Sequence, residues 1–199
     1  LSLNEIDAAI KDLWASLWQD PVVRYTIERA GLQAVPAMAV VIQPMLDALV
    51  SGVAYSIHPV TGRSFHVAVN AVPGLAAPLV DGRVTPDQYI VTMDADQQPA
   101  SIRRRLIASK SQRAIITKEG LCYETIPETA RTQSSLSDDR LFELARLAKK
   151  IEQAFGYPVD LEWAIDSQML WTLQARPITG VHSSDELTDD DCEWSRANF

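Results

Sequence analysis

Two short runs near the carboxyl end gather the side chains best able to handle a charged ligand. In residues 159–166, a period of two puts Val159, Leu161, Trp163 and Ile165 on one strand face, and Asp160, Glu162 and Ala164 on the other. In residues 169–176, Met169, Trp171, Leu173 and Ala175 share a face opposite Leu170, Thr172, Gln174 and Arg176. If the runs pair as a hairpin, both apolar faces must point to one core, which requires an odd number of loop residues. A three-residue loop of Ser167, Gln168 and Met169 then sets Glu162 opposite Gln174 and Asp160 opposite Arg176. Two carboxylates, an amide and a guanidinium would meet at one sheet edge.

That set suits a polyphosphate with its metal. Mg2+ is a hard cation that takes oxygen ligands and keeps phosphate and water oxygens in its other positions, so Glu162 with the Gln174 carbonyl is a sensible protein share. Arg176 offers a planar fork of donors to phosphate oxygens and stays charged at neutral pH. The plainer reading is a solvated strand face in which Asp160 and Arg176 form an ordinary cross-strand ion pair, worth about 0.2–1 kcal/mol.

The elements that would position these residues can be read outward from them. Ser137-Asp138 opens a helix whose apolar stripe is Leu141, Leu144, Ala145, Leu147, Ala148, Ile151 and Phe155, ending at Gly156. Short β-rich runs are expected at residues 38–43, 52–57, 88–92, 113–118 and 121–125, with a half-buried strand at residues 64–71. At the start, Ser2-Leu3-Asn4-Glu5 has the form of a capping box, and apolar residues recur at helical spacing to Trp18. Asp20-Pro21 begins a second helix that Gly31 should stop, and the two helices should pack as a pair. The predicted fold class is α+β, a mainly antiparallel sheet with packed helices. One domain over residues 1–180 is expected, followed by an acidic linker and the start of a further segment at 181–199.

The motif Pro158-Val159-Asp160-Leu161-Glu162-Trp163-Ala164, followed by Leu173-Gln174-Ala175-Arg176-Pro177-Ile178-Thr179, closely resembles the ATP-binding domain of the phosphoenolpyruvate synthase and pyruvate phosphate dikinase family, which includes rifampin phosphotransferase. Trp14 to Trp18, Val40-Val41-Ile42-Gln43-Pro44-Met45, Ser51 to Ser56, Pro59 to Gly62 and Asp81 to Tyr89 are similar to further family blocks in the same order. The resemblance implies the carboxyl-terminal lobe of an ATP-grasp domain, with ATP and Mg2+ as cofactors. It makes Glu162 and Gln174 the metal pair, Arg176 the phosphate contact and Asp160 the acidic residue beside them. It also makes Gln43 and Met45 the hinge that lines the adenine. The implied activity is ATP-dependent phosphate transfer to a histidine on a carrier domain of the same parent chain.

Where the family usually carries Gly-Leu-Gly-Glu, this chain reads Gly74-Leu75-Ala76-Ala77. The lost acid keeps open a non-catalytic, nucleotide-sensing or interaction module on a degenerate scaffold. The family's amino-terminal lobe and carrier histidine are not recognisable here, and the chain reads as cut from a longer polypeptide. His58, His66 and His182 read as turn, strand-face and linker residues, while Lys110 and Arg131 are similar to family basic positions, with exposed, solvated charges as the plainer reading. A net charge of −8 argues against nucleic acid and anionic membranes as partners, and no apolar run suggests a membrane span. The two cysteines, Cys122 and Cys192, suggest neither a disulfide framework nor a zinc site, which fits a cytoplasmic protein.

Overall fold

A computed structural model describes residues 3–30, 37–80, 84–118 and 120–178. Gly31, Asp81-Gly82-Arg83, Thr179, His182, Cys192 and the segment expected at 181–199 lie outside the described residues. The chain divides into two units, residues 1–45 and 46–199. Among the described residues no helix is long and apolar enough to cross a membrane.

The first unit holds α1 (Leu3–Ser16) and α2 (Asp20–Ala30). α1 stops short of Trp18, and Leu17 and Trp18 close single turns onto Trp14 and Ala15 instead. The expected apolar stripe is not buried in a helix pair, since Trp14 and Trp18 are 50% and 66% exposed. The strand expected at residues 38–43 does not form, and residues 37–48 have no regular structure. A strand is stabilised by a partner's ladder of hydrogen bonds. Among the described residues this run has no such partner, and Pro44 lacks an N–H.

The second unit is α+β. Six antiparallel strands stand in the order β4-β3-β2-β1-β7-β8, comprising β1 (Val50–Tyr55), β2 (His66–Pro73), β3 (Asp87–Met93), β4 (Pro99–Leu106), β7 (Val159–Ile165) and β8 (Leu170–Pro177). A separate hairpin of β5 (Gln112–Thr117) and β6 (Gly120–Thr125) touches the main sheet through a Gly74–Ala114 bridge. β4 escaped the sequence reading because Arg103, Arg104 and Arg105 mask its alternation. Charged side chains are what an exposed sheet edge requires to resist pairing with another chain.

Helix α4 (Asp138–Phe155) covers one face of the sheet. The Ser137 hydroxyl accepts from the Arg140 N–H, and Gly156 ends the helix in the left-handed region with φ of 77°. Its Leu141, Leu144, Ala145 and Ala148 pack on Val67, Val69, Tyr89, Val91, Leu161 and Trp163. Each fully buried large apolar side chain contributes about 1.5–3 kcal/mol. Phe155, expected on that stripe, is exposed at the last turn.

The opposite face carries a smaller cluster of Val53, Tyr55, Ala68, Val72 and Leu79, the last on α3 (Ala77–Val80). That second layer explains why β2, expected to be half-buried, is buried on both faces apart from its end at Pro73. β1 and β2 also approach closely at Gly52, where an added Cβ would lie 1.9 Å from the Asn70 carbonyl oxygen. Gly52→Ala should therefore shift the urea midpoint by a loss of about 1–3 kcal/mol or more. An unchanged midpoint would show that the strands can separate at no cost.

Candidate functional site

The pairing of β7 with β8 decides which side chains meet. Asp160 stands opposite Arg176 and Glu162 opposite Gln174, as the alternation requires. The same row continues to β1, where Tyr55 faces Asp160 and Val53 faces Glu162. Directly opposed residues project to one side, so Asp160, Glu162, Gln174, Arg176 and Tyr55 share the sheet face away from α4.

The route to this register differs from expectation. The turn is a two-residue one, Ser167-Gln168, closed by the Asp166 N–H on the Met169 carbonyl. Asp166 Oδ1 accepts from the Gln168 and Met169 N–H groups at 2.7 and 2.8 Å, and its Oδ2 accepts from Trp171 Nε1 at 2.7 Å. These bonds stabilise the carboxylate and hold its pKa below the ordinary value, the Met169 bond being the largest cause. The even-length turn would invert the faces of β8, but a bulge intervenes. Glu162 pairs with Gln174 while Trp163 pairs with Thr172, so Leu173 is the extra residue.

The consequence is a change of parity within β8. Beyond the bulge, Leu170 faces the α4 core with Ile165, and Trp171 stands opposite Ala164 on the site face. Leu173 is not on the core face with Trp163 as expected, and is partly exposed. The sequence held a signal for this, because the adjacent apolar pair Leu170-Trp171 cannot be buried on one face of a regular strand.

Asp160 and Arg176 form the tightest contact of the site. Nε and Nη2 of Arg176 both lie 2.8 Å from Asp160 Oδ2. The carboxylate is only 9% exposed while the guanidinium is 60% exposed, so the pair is anchored from beneath. Hydrogen bonding and charge from Asp160 raise the Arg176 pKa further, with a smaller contribution from Glu162. Burial, then the Asp160 charge, push the Tyr55 hydroxyl up to about 12, against the opposing effect of Arg176. It is therefore a neutral hydroxyl at physiological pH. Among the described residues, the buried Asp160 Oδ1 has no hydrogen-bond partner, a costly state for a carboxylate oxygen that a cation or donor would relieve.

Glu162 is half-buried and Gln174 exposed, both presenting oxygen atoms on one face. That donor chemistry fits a hard divalent cation sharing its shell with a ligand. Among the described residues no group of three or more His, Cys, Asp or Glu could hold a metal alone.

Gln43 and Met45 belong to the first unit and are exposed on irregular backbone, which corrects their expected place on or beside a strand. Lys110 is not a solvated charge but 7% exposed, with Nζ 2.5 Å from Asp87 Oδ1. Arg131 is half-buried, its Nε donating to the Ile126 carbonyl. His58 is fully buried in its turn, its Nδ1 accepting from the Val60 and Thr61 N–H groups. His66 is buried on β2. Gly74 has a φ of 78° and Leu75 bonds the Ala114 carbonyl, while Ala76 joins the smaller cluster and Ala77 begins α3. Clefts of about 390 and 450 Å3 flank the β5–β6 hairpin, lined in common by Pro73, Lys110 and Arg113. Neither is lined by Asp160, Glu162, Gln174 or Arg176.

The family described as pyruvate phosphate dikinase, AMP/ATP-binding domain, matches residues 2–193. An uncharacterized phosphotransferase, YvkC, of Bacillus subtilis is 33% identical over 187 residues, covering 94% of this chain and 22% of the relative. Phosphoenolpyruvate synthase of Pyrococcus furiosus is 31% identical over 203 residues, covering 97% and 24%. Rifampicin phosphotransferase of Bacillus cereus is 31% identical over 181 residues, covering 90% and 20%. The chain thus spans between a fifth and a quarter of the length of these relatives.

Proposed function

The chain belongs to the pyruvate phosphate dikinase AMP/ATP-binding domain family, and we propose on that premise that it is the ATP-binding portion of a phosphotransferase. The observation that carries this reading is the opposed pairing of Glu162 with Gln174 and Asp160 with Arg176 on one sheet face, where Gln174 and Arg176 are exposed. The domain is of the ATP-grasp type, here its carboxyl-terminal lobe over residues 1–180, and it acts on ATP in a cytoplasmic enzyme. The phosphoryl acceptor is a histidine on a carrier domain elsewhere in a longer polypeptide.

Glu162 and Gln174 would hold Mg2+ between them. When bound, the metal supplies positive charge against the phosphate oxygens. Arg176 contributes a second, permanent charge: as the acceptor nitrogen forms its bond to phosphorus and the bridging P–O bond breaks, the guanidinium stabilises the oxygens on which charge collects. Asp160 orients that guanidinium by holding Nε and Nη2, which leaves Nη1 to the ligand. Gln43 and Met45 would line the adenine, partly through backbone groups.

A second reading keeps the nucleotide and drops the chemistry. Ala76-Ala77 favours it, since the family's acid is missing there. Titration calorimetry of this chain with ATP separates part of the question. Binding should be weaker than micromolar, because the ligand must offset lost translational and rotational freedom with few contacts. It should also weaken in EDTA and in Glu162→Gln. Binding indifferent to both would sink the metal assignment, and no heat or shift up to millimolar ATP would sink nucleotide binding.

A further inference from the structure

We propose that Trp171 is the platform on which the nucleotide base stacks, a role that rests on the nucleotide reading of the same face. Three observations lead there. First, the Leu173 bulge carries Trp171 out of the α4 core and onto the face of Glu162, Gln174 and Arg176. A regular strand would have buried this indole with Ala175. Second, the ring is held: its Nε1 donates to Asp166 Oδ2 at 2.7 Å, while 38% of the residue remains exposed. An exposed indole with its only polar atom engaged offers an apolar, electron-rich surface whose orientation is already fixed. Ala164, opposite it, adds almost no bulk to that patch.

Third, the spacing suits a nucleotide. Ala164 opposite Trp171, Glu162 opposite Gln174 and Asp160 opposite Arg176 succeed one another along β7 at every second residue. Two residues of strand advance about 7 Å, so the metal pair lies about 7 Å from the indole row and the arginine about 14 Å from it. Base, sugar and phosphates laid along the strand meet an aromatic face, then oxygen ligands, then a guanidinium. A planar heteroaromatic ring is the ligand group that uses the first of these. Stacking of a base on an aromatic side chain is favourable and needs little hydrogen-bond readout.

The test follows the indole N–H resonances of the whole chain, the Trp171 signal being the one lost in Trp171→Phe. Titration with AMP should shift the Trp171 signal, and ribose 5-phosphate, which lacks the base, should leave it in place. Trp171→Ala should weaken AMP binding about tenfold, and Trp171→Phe by no more than about threefold, since a ring remains. Thermal unfolding of both variants confirms that the hairpin persists. AMP binding unchanged in Trp171→Ala overturns this inference alone and leaves the nucleotide reading standing, as does an equal indole shift from ribose 5-phosphate. Absence of any response to millimolar AMP or ATP overturns both.

Discussion

Glu162→Ala and Gln174→Ala, each placed in a full-length phosphotransferase carrying this domain, should lower ATP-dependent phosphoryl transfer at least about a hundredfold. The unfolding free energy should move by no more than about 1 kcal/mol. The asymmetry follows from location. Glu162 is half-buried and Gln174 lies exposed on the outermost strand, and neither belongs to the buried core. Their oxygens are proposed to act on a ligand, and losing metal-mediated charge stabilisation removes several kcal/mol from the reaction alone. Arg176→Ala should behave in the same way. Arg176→Lys should rescue poorly, because one ammonium cannot hold Asp160 Oδ2 with two nitrogens and still present a third to phosphate. Single-turnover transfer from labelled ATP, measured beside thermal unfolding, decides the matter. If lost activity tracks lost stability across the variants, the cluster is a structural ion-pair network and the phosphate site lies elsewhere.

The site register was legible because alternating apolar residues leave few ways to pair residues 159–166 with 169–176. The turn that delivers it is not the one the alternation implies. An odd loop was expected, whereas Asp166 caps a two-residue turn through its side chain and the Leu173 bulge restores the parity. Two local features cancel at Glu162 and Gln174, so the pattern survives there and fails at Trp171. α4 was readable from Ser137 to Gly156 because both ends carry local capping chemistry. Residues 38–43 read as a strand from composition alone, but strand formation is a property of pairs, and the partner is not written in the run. The burial of Lys110 is not legible locally, because its counter-ion, Asp87, lies 23 residues away at the start of β3.

Asp87→Ala should cost about 3–5 kcal/mol of stability. Asp87 is fully buried at the start of β3 and holds three segments together. Its Oδ1 accepts from the Ala108 N–H at 2.9 Å and from Lys110 Nζ at 2.5 Å. Its Oδ2 accepts from the Ser135 N–H at 2.8 Å and hydroxyl at 2.7 Å, and from the Tyr89 hydroxyl at 3.4 Å. Truncation strands these donors, and above all leaves the Lys110 ammonium buried without its counter-charge. Paired replacement separates the two contributions. Asp87→Ala with Lys110→Met removes the orphaned charge, so the double variant should be more stable than Asp87→Ala alone, although a second residue has been changed. At about 2–4 °C per kcal/mol for a chain of this size, the single variant should melt on the order of 10 °C lower. A loss under about 1 kcal/mol for Asp87→Ala, or a double variant less stable than the single, would show that Lys110 reaches solvent when its partner is removed and that the network contributes little to the fold.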